Sequence, residues 1–280
     1  MKPAQKLALL LSAVIPCSAG FLVSAGPEDS KSDSPLRAAV CPVVYRLDES
    51  PAAHGYHYTF FGNAFFINDQ GYLLTVAHVL ETFKNGGQPS ILITRPNSPP
   101  QLLPFAVVSA DTEHDVAILR VTPNPFSTHY HVTFLSLASD AVAPGQSVLA
   151  FSLHPAHMQN PLSFQLPVED RSAGTVLSIE KTKLDKSAAE AEVFLLSHPV
   201  TLGQSGSPVL AADSHAVVGL IEGRWVRNGS ISVAKAGAES TEPPGAAIPI
   251  SYAVSLLKQN GVAYHIAQNG GSSADPRAKQ

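Results

Sequence analysis

The chain has only two cysteines among its 280 residues, Cys17 and Cys41. Two thiols cannot build the bridge framework that staples small secreted domains, so stability must come from a hydrophobic core. No histidine-bearing motif accompanies Cys41, which therefore reads as a small buried apolar residue at a strand start, not as a nucleophile. Charge is sparse as well: Asp, Glu, Lys and Arg make up 14% of the chain and the net charge is -4. The basic residues are scattered, which excludes nucleic acid or an anionic membrane surface as a dedicated partner. No internal repeat at a solenoid period is present. Histidine is not scarce, but the pairs His54/His57, His129/His131 and His154/His157 stand near turn-like sequence, outside any helical H-E-x-x-H frame. A zinc centre needs three or four convergent ligands, so neither a metal nor a cofactor is expected.

Hydrophobic residues make up 45% of the chain. With both ends set aside, roughly 230 residues remain, enough to bury about 70–75% of their extended surface. The N-terminus differs from the rest. Lys2 and Lys6 precede an apolar run over residues 7–15, followed by the small residues Ser18-Ala19-Gly20 and Val23-Ser24-Ala25. This is the pattern of a secretory signal peptide over residues 1–25, with cleavage after Ala25 or Ala19, and it implies export to the periplasm or the extracellular space. The alternative is an uncleaved anchor, since apolar residues continue through Phe21-Leu22-Val23; it is the one route by which a membrane would enter. Pro16 before Cys17 is a poor match to a lipid-modification site.

Residues 26–36 are polar and read as a linker. Short β-branched and aromatic runs then recur at 57–67, 71–76, 90–94, 105–109, 116–121, 147–152, 174–179, 192–196 and 216–221, divided by turn residues. Strands of this length and spacing predict an all-β sandwich or barrel architecture. Pro123 and Pro125 each remove a ladder donor, which separates residues 37–122 from 135–250 by a connection over 123–134. One further helix is predicted over 251–260, capped by Ser251 and stopped at Asn260-Gly261. Asn228-Gly229 reads as a hairpin turn within the long excursion 224–247. Residues 267–280 read as a polar tail.

Three segments carry chemistry. Gly71-Tyr72-Leu73-Leu74-Thr75-Val76-Ala77-His78 sets an imidazole just past a buried strand. His114-Asp115-Val116-Ala117-Ile118-Leu119 sets an acid directly before an apolar strand, where a carboxylate can be buried and accept an imidazole N–H. Asp111 and Glu113 lack that placement and read as loop charges. Gly203-Gln204-Ser205-Gly206-Ser207-Pro208 flanks a serine with glycines, which permits a tight turn that projects the hydroxyl and leaves backbone N–H groups free.

Taken with Val217-Val218-Gly219-Leu220 and Ala247-Ile248-Pro249-Ile250, these motifs resemble the trypsin-like (chymotrypsin-fold) serine peptidases, nearest to bacterial HtrA/Deg proteases and glutamyl endopeptidases. The resemblance covers the presumed peptidase domain, residues 37–266. It implies two antiparallel six-stranded β-barrels with a C-terminal α-helix, and a serine endopeptidase acting on polypeptides outside the cytoplasm. It implies a triad of His78, Asp115 and Ser205, with an oxyanion hole from the N–H groups of Gly203 and Ser205. His198, Val200, Thr201, Leu202, Gly219, Leu220 and Ile221 would border the substrate pocket, although His198 could equally pack there.

The departures from the family also matter. Gln204 replaces the acid that pairs with a new N-terminus in digestive proteases. Ile221 replaces the histidine that reads acidic side chains in glutamyl endopeptidases. With no charge at Pro199, Val200, Thr201 or Leu202, a pocket for small or medium aliphatic side chains is expected. No peptide-binding PDZ module is expected after the closing helix. The competing readings are a catalytically silent peptide-binding homologue and a related ester hydrolase. Substrate identity and oligomeric state are not legible.

Overall fold

A computed structural model describes residues 35–48, 57–81, 88–94, 101–127, 131–154, 167–184, 189–226, 230–232 and 243–267. The predicted signal segment 1–25, nearly all of the linker 26–36, His54, His129, His157, the Asn228-Gly229 turn and the tail from residue 268 lie outside them.

The described chain opens on a short helix α1 (Pro35–Ala39) and then forms β1 (Val40–Asp48), β2 (His57–Phe66), β3 (Tyr72–Thr75), the single-turn helix α2 (His78–Glu81), β4 (Gln88–Ile93), β5 (Gln101–Asp111) and β6 (Val116–Val121). These six strands close into a barrel in the order β1-β2-β3-β6-β5-β4, with antiparallel pairings throughout. A second sheet follows, from β7 (Ser147–His154), β8 (Val168–Lys183), β9 (Glu190–Leu196), β10 (Pro208–Ala211), β11 (Val217–Val226), β12 (Ser230–Ser232) and β13 (Gly245–Pro249). Its order is β10-β7-β8-β9-β13-β11-β12, and an added β10–β11 pairing returns it on itself. Six strands thus form the second ring, and β12 is a seventh, paired only along β11. The fold is the two-barrel, all-β architecture of chymotrypsin-like proteases.

Strands β10, β11 and β13 of the second ring show why parts of it read as almost unbroken apolar runs. Successive side chains on a strand point to opposite faces, and on these strands both faces are covered. Val193, Val217, Leu220 and Ile248 join a large cluster with first-barrel residues such as Phe65, Leu74 and Ile118. Their neighbours Phe194, Val218, Ile221 and Ala247 fill the interior of the second ring. A strand buried on both faces loses the polar alternation of a half-exposed one. Cys41 is fully enclosed in the first cluster, and that burial raises its thiol pKa, which suits packing and not nucleophilic attack.

The closing helix α3 (Ile250–Gln259) buries Ile250, Ala253, Leu256 and Leu257, one stripe at helical spacing. It starts one residue before the predicted span. Pro249 is its N-cap and makes no side-chain bond, so Ser251 lies inside the helix and is not its cap. Pro249, at φ -58 and ψ 139, supplies the extended backbone that an N-cap position requires, which leaves Ser251 within the first helical turn. At the other end Asn260 and Gly261 stop the helix, Gly261 with φ 64. Among the described residues no helix is long and apolar enough to cross a membrane.

Candidate active site

Strand adjacency brings the first two candidate residues together. β3 and β6 pair directly, with Thr75 opposite Ala117. The exit of β3 therefore lies beside the entry of β6, and the turn residues at those two ends are His78 and Asp115. Asp115 holds this junction by three acceptors. Its carbonyl accepts the Ala77 N–H at 3.2 Å. Oδ1 accepts the His78 backbone N–H at 2.7 Å, and Oδ2 lies 2.6 Å from His78 Nδ1. Asp115 has φ 52, a left-handed conformation that Asp and Asn adopt more readily than most residues.

Asp115 is buried, whereas 23% of the His78 side chain is exposed. Burial alone would lower the imidazole pKa. The hydrogen bond and charge of Asp115, joined by the charges of Glu222 and Glu81, outweigh it and hold His78 above its ordinary value. Among the described residues, His78 Nε2 makes no hydrogen bond.

The serine loop is anchored from both barrels. From the first, Asn63 on β2 donates its backbone N–H to Ser205 O at 2.8 Å and its side-chain Nδ2 to Gly203 O at 3.0 Å. Its Oδ1 accepts the Leu153 N–H of β7 at 3.1 Å, and its carbonyl accepts Thr75 Oγ1 at 2.7 Å. The approach is tight enough to demand glycine at Gly206: its φ is +79, and a Cβ there would fall onto Asn63 O and Thr75 Oγ1.

From the second barrel, Gln204 Oε1 accepts the Thr201 N–H at 2.7 Å, while Nε2 donates to Asp170 Oδ2 at 2.8 Å and to Ser152 Oγ at 3.3 Å. Where digestive proteases carry an acid, this chain braces the loop with a neutral amide. Among the described residues the N–H groups of Gly203 and Ser205 make no backbone hydrogen bond. That is the condition for donors that await an oxyanion.

The Ser205 hydroxyl does not bond to His78. It donates to the backbone carbonyl of Glu222 at 3.3 Å. Glu222 is the residue that sequence reasoning missed. It lies at a register shift between β11 and β13, where the pairing passes from Ile221 to Gly223. Such a bulge leaves one residue out of the ladder and re-aims its side chain. The carboxylate is buried, and Oε1 lies 3.8 Å from His78 Nδ1. An acid in the middle of Val217-Val218-Gly219-Leu220-Ile221-Glu222-Gly223 was a visible signal, because buried strands rarely carry a charge without a use.

His78, Asp115 and Glu222 offer ligand atoms within 4.8 Å of one another. The 2.6 Å His78–Asp115 separation is hydrogen-bonding distance, shorter than the roughly 3.3 Å between two ligands on a tetrahedral zinc with bonds near 2.0 Å.

The expected pocket residues divide. Val200 and Ile221 are buried in the interior of the second ring, and Leu220 packs on its other side against the first barrel. Gly219 is buried, with Phe194 and Ile248 O closing the space where a side chain would stand. Leu202 is 49% exposed beside Gly203, and Thr201 is exposed as well. His198 Nδ1 lies 3.1 Å from Pro199 O, its Nε2 is buried without a hydrogen bond among the described residues, and its ring lies against Gly174. Asp111 does more than stay solvated: it accepts the N–H groups of Glu113 and His114 and lies 2.7 Å from His114 Nδ1.

Comparison with known proteins agrees with this fold. The family described as trypsin-like peptidase domain matches residues 62–220, more than half of the chain. The MamO protease domain from Magnetospirillum magneticum is similar in structure, with TM-score 0.56 and 18% identity over 79% of this chain and 97% of that one. The HtrA-type protease AlgW, solved with a tripeptide, gives TM-score 0.53 and 18% identity; 81% of this chain covers 63% of AlgW. The Rv3671c protease from M. tuberculosis in its active form gives 0.54 and 16% identity over 91% of this chain and 97% of that one. No curated protein matches by sequence. A family match of that extent, on a chymotrypsin-like fold, makes the chain a member of the trypsin-like peptidase domain family and a serine endopeptidase.

Proposed function

We propose that His78, Asp115 and Ser205 form the catalytic triad of an exported endopeptidase that cleaves polypeptides through an acyl-enzyme. The observation that carries this reading is the 2.6 Å contact between His78 Nδ1 and the buried Asp115 carboxylate. It fixes the tautomer, so that Nε2 of the neutral ring is the acceptor. In the proposed cycle the Ser205 hydroxyl leaves the Glu222 carbonyl and passes its proton to Nε2 as Oγ attacks the substrate carbonyl. His78 then returns the proton to the leaving amine, and Asp115 stabilises the intervening imidazolium. The unengaged N–H groups of Gly203 and Ser205 would receive the oxyanion; losing one such donor costs about 10²–10³ in turnover. Unbound enzymes commonly tighten the Ser–His contact only with substrate present.

Export follows from the N-terminal pattern of Lys2, Lys6 and the apolar run. AlgW was solved with a tripeptide and with a decapeptide, which favours peptide substrates for this chain as well. The hydroxyl's bond to Glu222 O is the one observation that favours the silent peptide-binding reading. A fluorophosphonate probe separates the two. Covalent labelling at Ser205, absent in Ser205→Ala, with cleavage of a denatured-protein mixture, is expected. A folded protein that binds peptides yet neither labels nor cleaves would overturn the enzymatic assignment.

A further inference from the structure

Glu222 meets both partners of the proposed proton transfer. Its backbone carbonyl accepts the Ser205 hydroxyl at 3.3 Å, and its buried side chain lies 3.8 Å from His78 Nδ1. One bulged residue on β11 therefore touches the nucleophile with its main chain and the imidazole with its charge. The groups acting on His78 come from three elements: Asp115 at the entry to β6, Glu222 on β11 and Glu81 on α2. All are carboxylates.

A single carboxylate on Nδ1 orients the imidazole and stabilises the imidazolium formed in the transition state. A second buried carboxylate adds to that stabilisation before any reaction has begun. Low dielectric strengthens the effect, because water screens a buried pair far less than an exposed one. A proton is then held more tightly on the ring, and while it stays there His78 cannot accept the one on Ser205. The hydroxyl meanwhile stays with the Glu222 carbonyl.

We propose that Glu222 is a positioning residue that favours a proton-loaded, hydroxyl-parked resting site, so that the enzyme gains competence as His78 gives up its proton. This rests on the triad reading above and adds a pH gate to it. The direction of the His78 shift agrees with the geometry.

The test is the rate of fluorophosphonate labelling of the full chain from about pH 5 to 9. In the wild type, the acid limb is expected to have its midpoint above the ordinary histidine value of about 6.5. In Glu222→Gln it should move down by about half to one pH unit, raising the rate near pH 6 roughly three- to tenfold, since one pH unit on that limb is a factor of ten. Glu222→Asp should keep the limb above that of the glutamine variant. Should Glu222→Gln fold poorly, the smaller uncharged Glu222→Thr supplies the same comparison. A wild-type midpoint at or below 6.5, or the same midpoint in wild type and uncharged variants, overturns the proposal while leaving the triad intact. Absence of labelling at every pH overturns the triad itself, and this proposal with it.

Discussion

Asn63 joins the two barrels at the point where the serine loop is held, and its truncation is the most informative single perturbation. The side chain is fully buried and makes two bonds, Nδ2 to Gly203 O and Oδ1 from Leu153 N–H. Asn63→Ala removes both and leaves a buried carbonyl and a buried N–H without partners. Each such group costs about 1–3 kcal/mol, so the variant should lose about 2–6 kcal/mol from a total that is typically about 5–15. At about 4 kcal/mol, a domain of this size should melt roughly 8–16 °C lower. The kinetic effect is separate. The backbone bond from Asn63 N–H to Ser205 O at 2.8 Å persists, so the serine stays near its place while Gly203 loses its tether. The fluorophosphonate labelling rate should therefore fall by about tenfold, less than the 10²–10³ of losing an oxyanion donor outright. Thr75→Val is the control: it removes only the Thr75 Oγ1 bond to Asn63 O and should cost about 1 kcal/mol. Unfolding in urea and labelling kinetics measure the two effects. A melting point within about 2 °C of wild type, with unchanged labelling, would refute the claim that Asn63 holds the loop.

Gly206→Ala should abolish labelling and destabilise strongly, because the added methyl meets Asn63 O and Thr75 Oγ1 at a positive φ; a soluble, normally labelled variant would contradict the close approach. Gln204→Glu places a carboxylate 2.8 Å from Asp170 Oδ2; it should cost about 1.5–3 kcal/mol near pH 7 and recover in acid, as urea midpoints at both pH values would show. His78 is held above its ordinary pKa in the folded state, so it binds its proton more tightly folded than unfolded. Its contribution to stability should be complete below about pH 6.5 and disappear as pH rises through the folded value. The stability difference between wild type and His78→Ala should shrink over that interval, and a constant difference would remove the shift.

Much of this arrangement was legible because it is local. The strand before His78, the acid before β6 and the glycines around Ser205 are each set by a few adjacent residues, and their order along the chain matched a family pattern. What was not legible depends on pairing. That Gly203 O would be held by Asn63, 140 residues away, follows only once β2 approaches the serine loop. The buried faces of Val200, Leu220 and Ile221 likewise depend on how the second ring closes. Ser251 looked like a helix cap because its residue type suits one, but the helix begins at Ile250 behind Pro249. Cap chemistry identified the junction and not its register.

Glu222 shows the deeper reason. In sequence it is one acid in an apolar strand, two residues beyond the last motif residue, and a regular pleat would fix its face by alternation alone. The register shift between Ile221 and Gly223 breaks that alternation, and a bulge depends on the partner strand as much as on its own residues. The same event gives the site opposing demands. The carboxylate favours a protonated His78, which stabilises the folded chain below the ring's pKa, whereas catalysis by Ser205 requires the proton to leave. Stability and competence should therefore respond to pH with opposite sign at one residue. If the stability difference between wild type and His78→Ala grew with rising pH alongside the labelling rate, the His78–Asp115–Glu222 cluster would not be what sets that response.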